Sequence, residues 1–278
     1  MLICLDGTFL PHEDASIPIN DGGFLFGDTL FETLKAQKQK IFLRSQHLDR
    51  LEQSAKLLGF PCDRQKIENS LQQMAAALKS PASRIRLTLS RGDFTGLAWP
   101  SPAGQSRFLI TAVEYIEPAD DERQSGAACS ISPNQRVNPV NHLPQMKRGN
   151  YADCLYAANY ARQTGAREGL FIDQQQNVLE GCTSNLFAVI DDRLVTPSIG
   201  SLVLNGVMRQ QVINAAAELG ILVIERELPF SELLQAEEIF LTNSLIDIFP
   251  VCSIDGQTVN RGDCWKSLLK TLWMRIDT

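Results

Sequence analysis

Histidine is scarce in this chain. His12, His47 and His142 are the only three in 278 residues. They lie far apart with no Cys-x-x-Cys pair beside them, so a zinc site has no support. No Gly-x-Gly-x-x-Gly turn and no Gly-x-x-x-x-Gly-Lys-Ser/Thr loop occurs, which removes the usual dinucleotide and P-loop signatures. No Gly-x-Ser-x-Gly elbow is present. Nor does any apolar run approach the roughly 20 residues needed to cross a bilayer. The opening Met-Leu-Ile-Cys-Leu-Asp-Gly lacks the basic and apolar regions of a signal peptide. The seven cysteines are scattered and odd in number, which favours reduced thiols and a cytoplasmic location over a disulfide frame. A formal charge of -6 argues against a nucleic-acid surface.

What is present is an ordinary globular composition, 44% apolar and 21% charged, with enough chain for one large domain or two smaller ones. The start reads as a hairpin, Leu2 to Leu5 and Thr8 to Leu10 around Asp6-Gly7. Leu48, Leu51, Ala55 and Leu58 recur at helical spacing between a candidate cap, Ser45, and a stop, Gly59. A second helix is expected from Asp63 to Leu78. Strands are expected at 84–90 and 107–115. The polar stretch 119–126 is the expected linker between an N-terminal domain, 1–118, and a C-terminal domain, 127–278. In the second half, strands near 127–132, 169–173, 185–190, 221–226 and 238–242 intersperse with helices near 150–163, 206–219 and 263–275. The pattern is mixed α and β (α+β) without strict β-α-β alternation.

Several residues invite a chemical reading. Lys147 could attack an aldehyde if its amine were desolvated and neutral, although a solvated lysine is the common case. Glu180 could pair with a protonated ring nitrogen, keeping that ring an electron sink. Arg50 offers the forked donor that suits a phosphate. Asn205-Gly206-Val207-Met208-Arg209 opens a helix whose free N–H groups suit an anion. Thr242-Asn243-Ser244 adds short polar side chains at a strand end. Each of these alone is outweighed by an ordinary structural role; their order along the chain is not.

Taken in order, the motifs are Asp21-Gly22-Gly23-Phe24-Leu25-Phe26-Gly27-Asp28 with Phe31-Glu32-Thr33, and His47-Leu48-Asp49-Arg50-Leu51. Lys147 follows, then Glu180-Gly181 through Phe187, Leu204 through Arg209, and Thr242-Asn243-Ser244 leading to Pro250-Val251. This series resembles the class IV, or fold type IV, pyridoxal-phosphate enzymes over roughly residues 5–256. That family includes branched-chain and D-amino-acid aminotransferases and aminodeoxychorismate lyase. The resemblance implies two α/β domains with the cofactor between them, usually in a homodimer. The C-terminal domain would carry the lysine and most of the cofactor site. It further implies that Lys147 is the Schiff-base lysine, Arg50 a phosphate ligand and Glu180 the ring-nitrogen carboxylate. Val207 and Met208 would give backbone N–H groups to the phosphate, with Asn243 and Ser244 completing that cup. Tyr151 is one position off a ring-contacting tyrosine of some members.

Among members, the chain reads Asp93-Phe94-Thr95-Gly96-Leu97-Ala98 where D-amino-acid aminotransferases carry an Arg-x-His trap. Branched-chain aminotransferases usually have Phe-Glu-Gly at Phe31-Glu32-Thr33. Thr33 resembles the lyase, in which the threonine acts beside the lysine, and 207–210 and 249–252 are also lyase-like. Glu32 departs from the lyase pattern, as does the lack of an arginine near Gly96. The expectation is therefore a 4-amino-4-deoxychorismate lyase that forms p-aminobenzoate and pyruvate for folate synthesis. A class IV aminotransferase of branched-chain or D-amino acids is the alternative. Arg91, Arg107, Lys35 and Arg148 are candidate partners for substrate carboxylates.

Overall fold

The computed structural model describes residues 1–94 and 106–276. The expected trap loop at 93–98 lies largely outside them. The described chain forms two compact units, residues 1–117 with 146–151, and residues 118–145 with 152–276.

The first unit is built on a six-stranded sheet. Its elements are β1 (Leu2–Leu5), β2 (Thr8–Leu10), α1 (Gly22–Phe26), β3 (Thr29–Gln37), β4 (Lys40–Ile41), α2 (Arg44–Leu58), α3 (Arg64–Ala77), β5 (Ala82–Ser90) and β6 (Arg107–Glu114). The strands run in the order β2-β1-β6-β5-β3-β4, all antiparallel. The expected hairpin forms, with Asp6 and Gly7 both at positive φ, which a two-residue turn of this kind requires. Asp63 caps α3 through its side chain, and Gly59 ends α2 in the left-handed region. Ser45, however, is not the cap of α2. Phe42 is still hydrogen-bonded to Lys35, so the turn is completed at Leu43, φ 52, and Ser45 already lies in the first helical turn.

β3 gave no strand signal in the sequence because its burial runs on both faces and alternation disappears. Lys147 was expected in the C-terminal half, yet its segment belongs to the first unit. Phe31 N donates to Lys147 O at 2.9 Å, and Gly149 N to Thr29 O at 2.8 Å, so residues 147–149 lie along β3. Gly149 is needed there, since a Cβ would run into Thr29 Oγ1.

The second unit contains α4 (Asp120–Ser125), β7 (Ala127–Ile131), α5 (Ala152–Gln163), β8 (Glu168–Ile172), β9 (Val178–Gly181), β10 (Asn185–Ile190), β11 (Arg193–Thr196), α6 (Val207–Glu218), β12 (Val223–Glu225), α7 (Phe230–Leu233), β13 (Glu238–Asn243), β14 (Asp247–Ile254), β15 (Gln257–Thr258) and α8 (Cys264–Ile276). Its mixed sheet runs β12-β11-β10-β13-β14-β7-β8-β9, with β15 on β14. The pairs β11/β12, β14/β7 and β7/β8 are parallel. One apolar core cluster includes Leu170, Leu186, Ile239, Leu241, Val251 and Ile254 of the strands with Leu233 of α7.

The stretch expected as a linker is helical. Arg123 of α4 is buried and donates to the carbonyls of Ile246 and Ile248, an anchor without sequence periodicity. Asn205 is not the cap of α6 either. Gly206 takes that position in extended geometry, pressed against Asn185 where no Cβ fits.

Candidate active site

In the first unit, alternation along β3 sends Glu32 toward α2 and leaves Phe31, Thr33 and Lys35 on the other face. The Lys147 amine stands 4.8 Å from the Phe31 ring centroid, and Tyr151 meets that ring edge-on at 5.3 Å. The Arg86 guanidinium lies 3.9 Å from the same centroid, within cation–π range. Arg86 pairs across the sheet with Thr33, and Arg84 with Lys35. Thr33 therefore shares its face with the lysine's ring contact and with three cations.

On the opposite face, Glu32 binds Arg50 through both oxygens, from Nε at 2.8 Å and from Nη2 at 2.5 Å. His47 Nδ1 lies 2.7 Å from Glu32 Oε2. Glu32 and His47 are each 1% exposed. Burial raises the Glu32 pKa, but the Arg50 charge and the His47 hydrogen bond outweigh it and lower the value to about 2. His47 is driven the other way: burial lowers its pKa against the pull of Glu32. The guanidinium of the expected phosphate arginine is thus held in one orientation by a carboxylate that is ionised at neutral pH.

In the second unit, Glu180 is 4% exposed and accepts three hydrogen bonds. Arg136 Nε donates to Oε1 at 3.0 Å; Leu204 N and Asn185 Nδ2 donate to Oε2 at 3.0 and 3.2 Å. Arg136 also donates to Asp153 at 2.5 Å. Burial disfavours the Arg136 charge, but Glu180, Cys154 and Asp153 overcome that and raise its pKa. Sequence reasoning missed Arg136, whose partners lie 17 and 44 positions away with no motif to mark them.

Asn185 also donates to Leu204 O at 2.9 Å, and so ties Glu180 to the start of α6. Val207 and Met208 are the first residues of that helix, both buried, with backbone N–H groups that no helical carbonyl can reach. Asn243 spends its side chain on a turn. Its Oδ1 accepts from Leu245 N and Ile246 N at 2.9 and 3.0 Å, and its Nδ2 donates to Thr183 O at 3.2 Å. Ser244 is presented by that turn.

Three of the candidate carboxylate partners are committed elsewhere. Arg91 binds Asp28 and the last carbonyls of α2, Leu58 and Gly59. Arg107 binds Asp21 and Asp93. Lys35 is buried 3.7 Å from Glu117. Arg148 is half-buried, and its Nη1 has no hydrogen-bond partner.

The amino-transferase class IV family model matches residues 29–254. The chain belongs to this family. Its members depend on pyridoxal phosphate, and the residues present fit that group: the second unit has a buried carboxylate with donors on both oxygens and a helix start stripped of a Cβ at Gly206, and the first unit has a lysine amine. A branched-chain-amino-acid aminotransferase of Escherichia coli is 30% identical over 94% of this chain and 87% of its own. A D-alanine aminotransferase of Listeria monocytogenes is 26% identical over 94% of this chain and 90% of its own. The crystal structure of 4-amino-4-deoxychorismate lyase from Pseudomonas aeruginosa superposes with a TM-score of 0.90 at 28% identity, covering 100% of both chains. The fold is therefore that of the fold type IV enzymes, and this chain is a class IV aminotransferase or lyase. Among the described residues, no helix is long and apolar enough to cross a membrane.

Proposed function

We propose that this enzyme is a pyridoxal-phosphate-dependent lyase of 4-amino-4-deoxychorismate, in the cytoplasm and as a homodimer. The observation that carries the reading is Thr33, a hydroxyl on the β3 face where Phe31 meets the Lys147 amine. Two supporting facts are the neighbouring cations Arg84 and Arg86, which suit a substrate with two carboxylates, and the full-length match to a lyase structure.

In this reading Lys147 would hold the cofactor by its carbonyl carbon, Glu180 would face the ring nitrogen, and Arg50, the N–H groups of Val207 and Met208, Asn243 and Ser244 would take the phosphate. When bound, pyridoxal phosphate supplies an electron-poor ring that stabilises a carbanion next to the substrate nitrogen. Lys147 takes the proton from the substrate ring carbon bearing that nitrogen, as a positioned general base. The adjacent C–O bond breaks, the ring becomes aromatic, and the ether leaves as enolpyruvate, which tautomerises to pyruvate. No atoms are gained from water, and no oxidant is needed. Arg136, Asn185 and Leu204 N hold the Glu180 carboxylate in place. Thr33 orients Lys147 or the departing oxygen.

Purified enzyme given aminodeoxychorismate without any 2-oxo acid should release p-aminobenzoate and pyruvate in equal amounts. Lys147→Ala should remove the visible absorbance of the bound cofactor and lower turnover by at least ~10³-fold, the scale of a lost general base. Thr33→Ala should lower turnover by ~10-fold or more with the visible band intact. The 30% identity to a branched-chain aminotransferase favours a second reading, transamination. Glutamate formed from 2-oxoglutarate and a branched-chain amino acid, with no p-aminobenzoate, would overturn the lyase.

A further inference from the structure

Glu168 is a buried carboxylate to which the mechanism above gives no part. It opens β8, is 6% exposed, and among the described residues accepts from neutral donors. Cys182 Sγ reaches its Oε1 at 2.9 Å and Thr183 N the same oxygen at 2.7 Å; Thr183 Oγ1 reaches Oε2 at 2.9 Å. All of these donors belong to the turn between Glu180 and Asn185. The turn is tight: Gly181 N donates to Ser184 O at 2.8 Å, and a Cβ on Gly181 would lie 2.9 Å from Glu168 Oε1. The carboxylate therefore presses on the residue next to Glu180. Thr183 also accepts, through its carbonyl, from Asn243. A one-sided clamp of this kind sets where both ends of the turn sit, and Asn185, at the far end, donates to Glu180. Without a carboxylate, the buried Cys182 thiol would lose this acceptor and the exposed Thr183 would turn its donors to water, so the turn would relax.

We infer that Glu168 is a positioning residue, which holds the Cys182–Ser184 turn so that Glu180 and Asn185 keep the geometry required by the cofactor ring. The inference rests on the proposed role of Glu180. Burial raises the Glu168 pKa against the hydrogen bonds of Cys182 and Thr183, as expected where no cation is paired with it directly. A purely structural acid would behave like Glu238. That residue is also buried with a raised pKa, but its oxygens accept from Cys264 N and Trp265 N at the start of α8.

The test compares wild-type holoenzyme with Glu168→Gln, Thr183→Val and Glu238→Gln. The readouts are the pyridoxal phosphate dissociation constant, the ratio of visible to near-ultraviolet bands of the bound cofactor, kcat and KM, and the Tm of cofactor-free protein. Glu168→Gln keeps one oxygen as acceptor and puts an N–H₂ where the other stood, so a hydrogen bond of the clamp must reverse or be lost. It should weaken cofactor binding ~10-fold, change the band ratio, and lower kcat ~10-fold with KM within about twofold, the scale of one unsatisfied buried group. Thr183→Val keeps the carboxylate and removes one donor, so it should give the same changes at about threefold, even if Glu168→Gln folds poorly. Glu238→Gln should lower Tm and leave the dissociation constant and band ratio at wild type. A Glu168→Gln or Thr183→Val protein with lowered Tm but wild-type affinity and spectrum would overturn the inference. A wild-type protein that binds no cofactor would instead overturn the role of Glu180, a result visible before any variant is made.

Discussion

Glu32 in the first unit and Glu168 in the second are both hidden from water, 1% and 6% exposed, yet burial ends differently for each. Glu32 has a guanidinium on both of its oxygens and an imidazole beside one, and its pKa falls to about 2. Glu168 has a thiol, an amide and a hydroxyl, and its pKa rises. Hydrogen bonds favour the ionised form of both carboxylates, but for Glu168 they do not outweigh burial, whereas for Glu32 the added charge of Arg50 does. Glu32 is accordingly a fixed anion suited to orienting Arg50, while Glu168 is a weak acid suited to gripping a turn.

The largest way to break that contrast is Arg50→Ala, which leaves Glu32 buried without its main cation. Loss of one partner from a buried ion pair costs about 3–5 kcal/mol. Urea denaturation of the cofactor-free protein should show a loss of that order, and cofactor affinity should fall as well. A loss under about 1 kcal/mol would mean that Glu32 does not depend on Arg50.

Acid titration gives the next largest effect. The Glu32 pKa falls from 4.5 unfolded to about 2 folded, which corresponds to roughly 3 kcal/mol by linkage. Because the folded value is depressed, this stability is present above pH 4.5 and is lost as pH falls through about 2. Glu32→Gln should be less stable at neutral pH and should lack that acid limb in a series of urea melts.

The smallest effect has the opposite sign. The folded Glu168 pKa lies above the unfolded one, so its ionisation costs stability at neutral pH. As pH falls through the raised value toward the ordinary carboxylate range, that cost disappears and Glu168 adds stability. Glu168→Gln should remove this gain while leaving the Glu32 limb unchanged, and identical curves for the two proteins would contradict the raised value.

Local chemistry was the legible part. The Asp6-Gly7 hairpin, the Asp63 cap and the Gly59 stop depend on neighbours within a few residues, and all three form. β3 and β14 (Asp247–Ile254) were illegible because both are buried along most of their length, so neither period appears. The helix α4 was hidden in a polar stretch because its anchor, Arg123, binds carbonyls more than a hundred positions away.

By itself the sequence determined the family and the order of chemistry-bearing residues, from Arg50 and Lys147 to Glu180 and Asn243, because motif identity is written in adjacent side chains. Tertiary structure decided the electrostatic state of each group. It laid Lys147 along β3 beside Phe31, gave Glu180 the charge of Arg136, and left Glu168 with neutral donors. These partners are separated along the chain, and the energy of a buried charge depends on what surrounds it in space.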